Sequence, residues 1–109
     1  ILDNTTTVFG KLQPYQMHGS VYGVIPAKTG YLKPLGEWNS EEVIVIGTKV
    51  KVILNGSTIL DGDIAEASKN GTIDHNDHPG LKNKTGHIGF LYHTSAVKFR
   101  NLRIKDLSK

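Results

Sequence analysis

Residues 49–60 read KVKVILNGSTIL, and this stretch decides the fold class. Its first half alternates lysine with apolar residues, which places Val50, Val52 and Leu54 on one face of a strand and both lysines on the other. Asn-Gly then supplies the two left-handed residues of a tight hairpin turn. We therefore predict an antiparallel β-hairpin with strands at 49–54 and 57–60.

Short β-type runs separated by Gly, Pro, Asn and Asp continue on both sides of this hairpin. Long helical periodicity is absent, and at most one helical turn is expected over 64–68, stopped by Asn70-Gly71. Several short strands at this spacing are typical of a sandwich or barrel. The pattern predicts an all-β domain with further strands at 21–25, 41–46, 86–92 and 96–107.

The last of these strands has an irregular apolar pattern. Val97 and Phe99 share one face, whereas Leu102 and Ile104 have the opposite phase. Strict alternation cannot bury both pairs, so we predict a β-bulge at Arg100-Asn101. Bulges re-aim side chains and tend to lie beside functional sites, so the phase change also points to function.

The composition fits a single globular domain and excludes several function classes. The 109 residues contain no cysteine, so neither a disulfide framework nor a thiolate metal site is available. No apolar run approaches the ~18 residues of a membrane span, and no signal peptide is visible. The seven Lys and Arg after residue 81 alternate with core-type residues, as on a solvated β face, so nucleic-acid binding is not predicted.

A polar loop is predicted at 72–86, long enough at ~15 residues to suggest a function. It contains Asp74, His75, Asp77 and His78, which are ligand types that a divalent metal accepts. Their spacing is not diagnostic outside a defined helix, and a solvated loop is the better explanation. We adopt the solvated loop and predict no metal ligands. No cofactor is certain, although a divalent metal ion remains an option.

Motifs of several common enzyme classes are missing. There is no Gly-rich phosphate loop between a strand and a helix and no Gly-x-Ser-x-Gly elbow for a serine nucleophile. Nor is there a convincing pair of carboxylates for ordinary glycoside hydrolysis. Composition and pattern alone therefore establish an all-β domain and leave its chemistry open.

Four segments in order give the sequence a more specific resemblance. Together they resemble the 3-keto-disaccharide hydrolase family over nearly the whole chain. The stretch Phe-Arg-Asn-Leu-Arg-Ile is the most diagnostic part. The matching segments are GSVYG at 19–23, KPLGEWN at 33–39, VILNG at 52–56, and GHIGFLYH at 86–93 followed by VKFRNLRI at 97–104.

The resemblance implies a concanavalin A-like jelly-roll sandwich with its site on the concave sheet. The family's domain is nearly twice this length, so residues 1–109 are expected to be its C-terminal portion and the sandwich to be incomplete. The other half, or another copy of the chain, would then pair with it. The resemblance also implies export to the periplasm or cell surface and a sugar or glycoside ligand.

Within this resemblance, two residues are candidates for catalysis. His93 matches the family's histidine at the end of the penultimate strand, although its neighbours Tyr92 and Thr94 depart from the family pattern. An imidazole near pH ~6.5 suits proton transfer, but His93 could equally be a hydrogen-bonded rim residue. Arg100 could bind a sugar hydroxyl or stabilise an enolate, or it could pair with a carboxylate such as Glu37 and brace the strands.

Five further residues are candidates for substrate binding. Trp38 could stack on a pyranose ring, although a tryptophan at the start of a strand is more often part of the core. Glu37 is either an acid/base or a turn residue, and Asn101 has a structural alternative at the bulge. The full set is Trp38, Glu37, Tyr22, Lys33 and Asn101.

The implied activity is cleavage of 3-keto-glycosides by proton abstraction, elimination and hydration, carried out only by a complete domain. Two other functions remain open. One is a non-catalytic carbohydrate-binding module of the same fold, because a fold does not decide function. The other is a structural or assembly β-domain whose polar residues only decorate its surface.

Overall fold

The fold centres on a three-stranded antiparallel sheet with strand order β1-β2-β3. The computed structural model describes residues 3–5, 10–91 and 95–108. Strand residues outnumber helical ones in this part of the chain, which confirms the all-β class. The elements are β1 (Glu41–Ile46), β2 (Lys49–Leu54), β3 (Ser57–Asp63), a one-turn helix α1 (Ile64–Ala67) and two 3₁₀ turns, Pro14–Gln16 and Pro79–Lys82.

The predicted hairpin forms as expected. Asn55 and Gly56 have φ angles of 50° and 83°, so both turn residues adopt the left-handed conformation that an Asn-Gly turn provides. On β2, Val52 and Leu54 are buried and Val50 is half-buried, in agreement with the predicted alternation. The return strand β3 extends to Asp63, three residues beyond the predicted end.

A β-bulge lies in this hairpin rather than at the predicted place. Val52 pairs with Leu60 and Ile53 pairs with Thr58, so Ile59 has no partner on β2. The extra residue allows Ile59 and Leu60, which are adjacent in sequence, both to be buried. Two consecutive apolar residues in a strand were the sequence signal for this bulge.

The core lies on one face of β2 and β3. Its buried members are Ala27, Val52, Leu54, Ile59 and Leu60, with Val21, Ile25, Leu32 and Val50 packed around them. The segment 21–32 covers this face, and the Lys28 N–H donates to the Ile59 carbonyl at 2.8 Å. The core is therefore a sheet face closed by an irregular segment.

The segment 21–25 is a tight turn, so the strand predicted there is wrong. The N–H groups of Val24 and Ile25 both donate to the Val21 carbonyl, at 2.8 and 2.9 Å. Gly23 has a φ of +75° and reverses the chain between Val21 and Val24. Val24 is buried, which explains why the stretch has strand-like composition without being a strand.

The two closing strands predicted at 86–92 and 96–107 are not formed in the described residues 86–91 and 95–108. A strand needs a neighbouring backbone to complete its hydrogen bonds. Among the described residues after Asn83, no backbone N–H group or carbonyl forms a backbone–backbone hydrogen bond. The predicted β-bulge at Arg100-Asn101 is not formed either, because a bulge requires a paired strand. Asn101 nevertheless has a φ of +55°, so the chain bends at this position.

The single predicted helical turn is confirmed as α1. Asp63 caps it, because its carboxylate accepts from the N–H groups of Ala65 and Glu66. The helix ends at Ala67, before Asn70-Gly71. Among the helices in the described part of the chain, none has the length and apolar character needed to cross a membrane.

Candidate site at Trp38 and Arg100

Two of the predicted site residues, 62 positions apart in sequence, lie in contact. The guanidinium carbon of Arg100 lies 4.0 Å from the centroid of the Trp38 ring, a cation–π arrangement. Trp38 is 42% exposed, so it is not a core residue. The structure brings this pair together at the surface beside the start of β1.

The position of Trp38 depends on the turn before it. The Glu37 N–H donates to the Pro34 carbonyl at 3.2 Å, and Gly36 in this turn has a φ of +90°. The Glu37 carboxylate is exposed and makes no ion pair with Arg100 or with any other described residue. The predicted alternative of a Glu37–Arg100 pair is therefore wrong for the structure as described.

Two asparagines hold this turn against the hairpin, and sequence reasoning missed both. The Asn55 amide donates to the Tyr31 carbonyl at 2.8 Å and to Asn39 Oδ1 at 2.9 Å, while its own oxygen accepts from the Ser40 N–H. Asn39 Oδ1 also accepts from the Lys33 N–H at 2.9 Å. The Asn-Gly dipeptide was read as a turn signal alone, although its amide also anchors the segment that carries Trp38.

Arg100 belongs to a segment that is joined to its neighbour by aromatic packing. The rings of Phe90 and Phe99 lie 4.7 Å apart between centroids, at an angle of 46°. Asn101, next to Arg100, is exposed and has a left-handed backbone. Because no strand forms here among the described residues, Arg100 does not brace a strand pair.

Tyr22 lies in a different local cluster. Its hydroxyl accepts from Gln16 Nε2 at 2.8 Å, and its ring meets Tyr15 edge to face at a centroid distance of 6.0 Å. No described contact joins it to Trp38 or Arg100. The side chain of Lys33 is exposed and without a described partner, so neither residue is drawn into the Trp38–Arg100 pair.

The polar loop contains a buried carboxylate paired with a histidine. Asp74 has a side chain only 5% exposed, and both of its oxygens lie within 3.0 Å of His78 Nε2. His75 and Asp77 are exposed and do not join this pair. No group of three or more potential metal-ligating side chains occurs in the ranges that the structure describes.

Burial raises the pKa of the Asp74 carboxyl, but its hydrogen bonds outweigh this effect. They come from the Asn76 N–H, the Thr72 hydroxyl, His78 and the Asn76 amide, and they hold its pKa well below the usual range. These hydrogen bonds therefore favour the ionised form of Asp74. The i, i+4 spacing of Asp74 and His78 was visible in the sequence, but only the fold shows which loop residues meet.

A second histidine–carboxylate contact was not predicted at all. His18 is buried, and its Nε2 lies 3.1 Å from Glu41 Oε1. The hydrogen bond from His18 holds the pKa of Glu41 below its usual range, against the opposing effect of partial burial. The contact ties the start of β1 to the segment before the 21–25 turn.

The predicted catalytic residue His93 lies outside the described residues, as do its neighbours Tyr92 and Thr94. Its role, like the roles of the other predicted site residues, stays a prediction.

Comparison with known proteins connects these residues to a family. The family model described as a 3-keto-alpha-glucoside-1,2-lyase-like domain matches residues 1–105. A 3-keto-disaccharide hydrolase from Bacteroides thetaiotaomicron is 30% identical over 123 aligned residues, which cover 98% of this chain and 42% of that protein. No solved structure matches. The chain spans less than half the length of the curated relative, and it belongs to the 3-keto-disaccharide hydrolase family.

Proposed function

We propose that this chain is part of a carbohydrate-active domain that cleaves 3-keto-glycosides. The proposal is supported by the family membership and by the name of the relative from Bacteroides thetaiotaomicron. The single structural observation that carries it is the exposed pairing of Trp38 with Arg100.

This pairing has the properties of a sugar-binding surface. An aromatic face can stack on the apolar face of a pyranose, and Arg100 offers guanidinium donors beside it. None of these donors forms a hydrogen bond with another described residue, so they are available to sugar hydroxyls or to a developing oxyanion. An exposed cation–π contact contributes only about 0.5–1 kcal/mol, which is too little to make stability the main reason for an exposed tryptophan.

The proposed reaction follows from the acidity that a ketone confers. A ketone at carbon 3 acidifies the proton on carbon 2, and a base removes it to leave an enolate. The bond from carbon 1 to the glycosidic oxygen then breaks as a double bond forms between carbons 1 and 2, and the departing oxygen takes a proton. Water next adds its hydroxyl to carbon 1 and a proton returns to carbon 2. This route needs a base and a positive group near the enolate, and it does not need two opposed carboxylates.

In this proposal Arg100 stabilises the negative charge that develops on the enolate or holds the substrate. His93 transfers a proton or orients the group that does so, and Trp38 supports the ring, with Glu37, Tyr22, Lys33 and Asn101 as further contacts. The site would be completed in a concanavalin A-like sandwich. We further propose export to the periplasm or cell surface.

The test is turnover of a 3-keto-glycoside by the full-length protein and its variants. Removing an oxyanion-type donor costs about 10²–10³ in rate, so Arg100→Ala should lose that much. Removing a positioned acid/base costs about 10²–10⁴, which is the loss expected for His93→Ala. Arg103→Ala is the matched control, because Arg103 is exposed in the same segment and makes no described contact.

The outcomes separate the enzyme from the alternatives. Deuterium from solvent should enter carbon 2 of recovered substrate, and no variant should cleave the parent unoxidised glycoside. Equal cleavage of the unoxidised sugar would rule out the elimination route. Sugar binding without cleavage would favour a non-catalytic carbohydrate-binding module, and turnover unchanged in Arg100→Ala would remove Arg100 from the site.

A further inference from the structure

The geometry of the polar loop points to a function for a pair that neither the family match nor the relative's name assigns. We propose that His78, oriented by Asp74, is the general base that removes the proton from carbon 2 of the sugar. This inference rests on the proposed function and adds a named residue to its first step.

The first reason is the way in which the two side chains meet. His78 Nε2 lies 2.9 Å from Asp74 Oδ2 and 3.0 Å from Oδ1. A carboxylate only accepts hydrogen bonds, so it holds the imidazole proton on Nε2. The other ring nitrogen, Nδ1, then carries the lone pair, and it has no hydrogen-bond partner among the described residues. A carboxylate that fixes the tautomer and stabilises the resulting imidazolium is the arrangement that makes histidine an effective base.

The second reason is the contrast in exposure between the partners. The Asp74 side chain is 5% exposed and that of His78 is 29% exposed. The charged anchor is therefore shielded from solvent while part of the imidazole remains accessible. A general base needs such an accessible face to reach its substrate.

The third reason is that the anchor is held rigidly. Asp74 accepts from the Thr72 hydroxyl at 2.8 Å and from the Asn76 N–H at 3.0 Å. Its low pKa, which follows from these bonds, keeps it ionised when His78 gains a proton. Preorganised groups of this kind stabilise charge without rearrangement during the reaction.

The fourth reason is the backbone segment against which the pair packs. The Asp74 N–H donates to the Gly23 carbonyl at 3.3 Å. A Cβ atom at Gly23 would clash with Asp74 Oδ2 and lie 3.0 Å from His78 Nε2, so a side chain there would displace the pair. Gly23 follows Tyr22, a predicted substrate contact, and both belong to the GSVYG segment that resembles the family. The pair therefore packs against a segment that resembles the family.

The step balances over one turnover. His78 Nδ1 takes the proton from carbon 2, and the electron pair of that bond enters the enolate. When water adds across the double bond, the imidazolium returns its proton to carbon 2 while the hydroxyl goes to carbon 1. The pair ends in its starting state and needs no further reactant.

The experiment compares His78→Gln with His75→Gln in the full-length protein. The glutamine amide can still donate to Asp74, so the loop is preserved while the base is lost. We expect His78→Gln to lower turnover of a 3-keto-glycoside by about 10²–10⁴ and to slow deuterium exchange at carbon 2 equally, with an unchanged melting curve. His75→Gln should behave like the wild type, since the side chain of His75 is exposed in the same loop and makes no described hydrogen bond.

Two further measurements keep the proposal testable if His78→Gln is unstable. Added imidazole should restore exchange at carbon 2 in His78→Gly. Nitrogen-15 spectra of the wild type should show the His78 proton on Nε2, and Asp74→Asn should lose that preference. A proton fixed on Nδ1 would overturn the proposal.

The remaining outcomes separate failure of His78 as the base from failure of the proposed function. An active wild type with undiminished exchange in His78→Gln rejects His78 as the base and leaves the proposed function standing. A wild type inactive on every 3-keto-glycoside rejects both. A further outcome is that a chelator removes the activity of the wild type and one metal restores it. If His78→Gln no longer binds that metal, His78 is a metal ligand and its role as the base is overturned.

Discussion

At the scale of single residues, Asp74 shows how a carboxylate is kept charged although it is nearly enclosed. Sequence reasoning placed Asp74, His75, Asp77 and His78 in one polar loop and could go no further, because the sequence does not show which aspartate meets which histidine. The fold selects Asp74 and His78 and leaves the other two exposed. The selection depends on Gly23, which is about 50 positions away in the chain and leaves room for the carboxylate.

The lowered pKa of Asp74 predicts an acid-sensitive contribution to stability. Its pKa in the folded state lies below the unfolded value of about 3.9, so the contribution is complete above that pH and is lost as the pH falls further. Asp74→Asn should therefore be less stable than the wild type at pH 7. The difference should shrink below about pH 4, because the carboxyl group is then protonated in the unfolded wild type and unfolding takes up a proton.

Chemical denaturation of both proteins between pH 7 and pH 2.5 measures this difference. Asp77→Asn is the matched control, because Asp77 is an exposed carboxylate of the same loop. A difference between Asp74→Asn and the wild type that stays constant over the whole range would contradict the assignment.

At the scale of elements, the hairpin turn does more than reverse the chain. Asn55 has a left-handed backbone and three side-chain hydrogen bonds that reach Tyr31, Asn39 and Ser40. The turn therefore links the sheet to the segment that ends at Trp38. Local sequence predicted the turn type, because a two-residue Asn-Gly loop depends on its own backbone angles. The three bonds depend on where distant residues lie, so they were not predictable.

Substitutions at Asn55 should separate these two roles. Asn55→Gly keeps the backbone conformation and loses the three bonds, for an expected loss of about 2 kcal/mol in the free energy of unfolding. Asn55→Ala loses the same three bonds and, unlike Asn55→Gly, has a Cβ at a left-handed backbone position. It should therefore cost about 1 kcal/mol more than Asn55→Gly. Urea unfolding measures both changes.

Asn70→Ala is the comparison, because Asn70 is exposed and its side chain makes no described hydrogen bond. Asn70→Ala should change the free energy of unfolding by no more than about 0.5 kcal/mol. Equal losses for Asn55→Gly and Asn55→Ala would show that the left-handed backbone carries no cost.

At the scale of the whole molecule, the apolar face of the sheet is only partly covered. Val43 pairs with Val52 and Val45 pairs with Val50, so all four point to the same face. Val52 is buried, whereas Val43 and Val45 are 58% and 56% exposed. The segment 21–32 packs against the core on β2 and β3, and β1 is an edge of the described sheet.

An uncovered apolar face beside a free strand edge favours association. A polypeptide of residues 1–109 should therefore self-associate at micromolar concentrations, and its melting temperature should rise with concentration. The double variant Val43→Thr/Val45→Thr should weaken this association, as measured by sedimentation equilibrium.

Ile46→Thr is the control for the face, since Ile46 is an exposed residue on the opposite side of the same strand. Equal weakening by Ile46→Thr would assign the association to the strand edge and not to the face. A monomer with a concentration-independent melt would contradict the expectation altogether.

By itself, the sequence determined the features that depend on neighbouring residues. These are the hairpin at 49–60, the strand at 41–46, the helical turn after Asp63 and the family, since each is written in a contiguous pattern. Only the tertiary structure decided which residues meet across the chain: Arg100 on Trp38, Asp74 with His78 on Gly23, and Asn55 on Asn39. It also decided that 86–91 and 95–108 do not form strands, because a strand exists only where another backbone completes its hydrogen bonds.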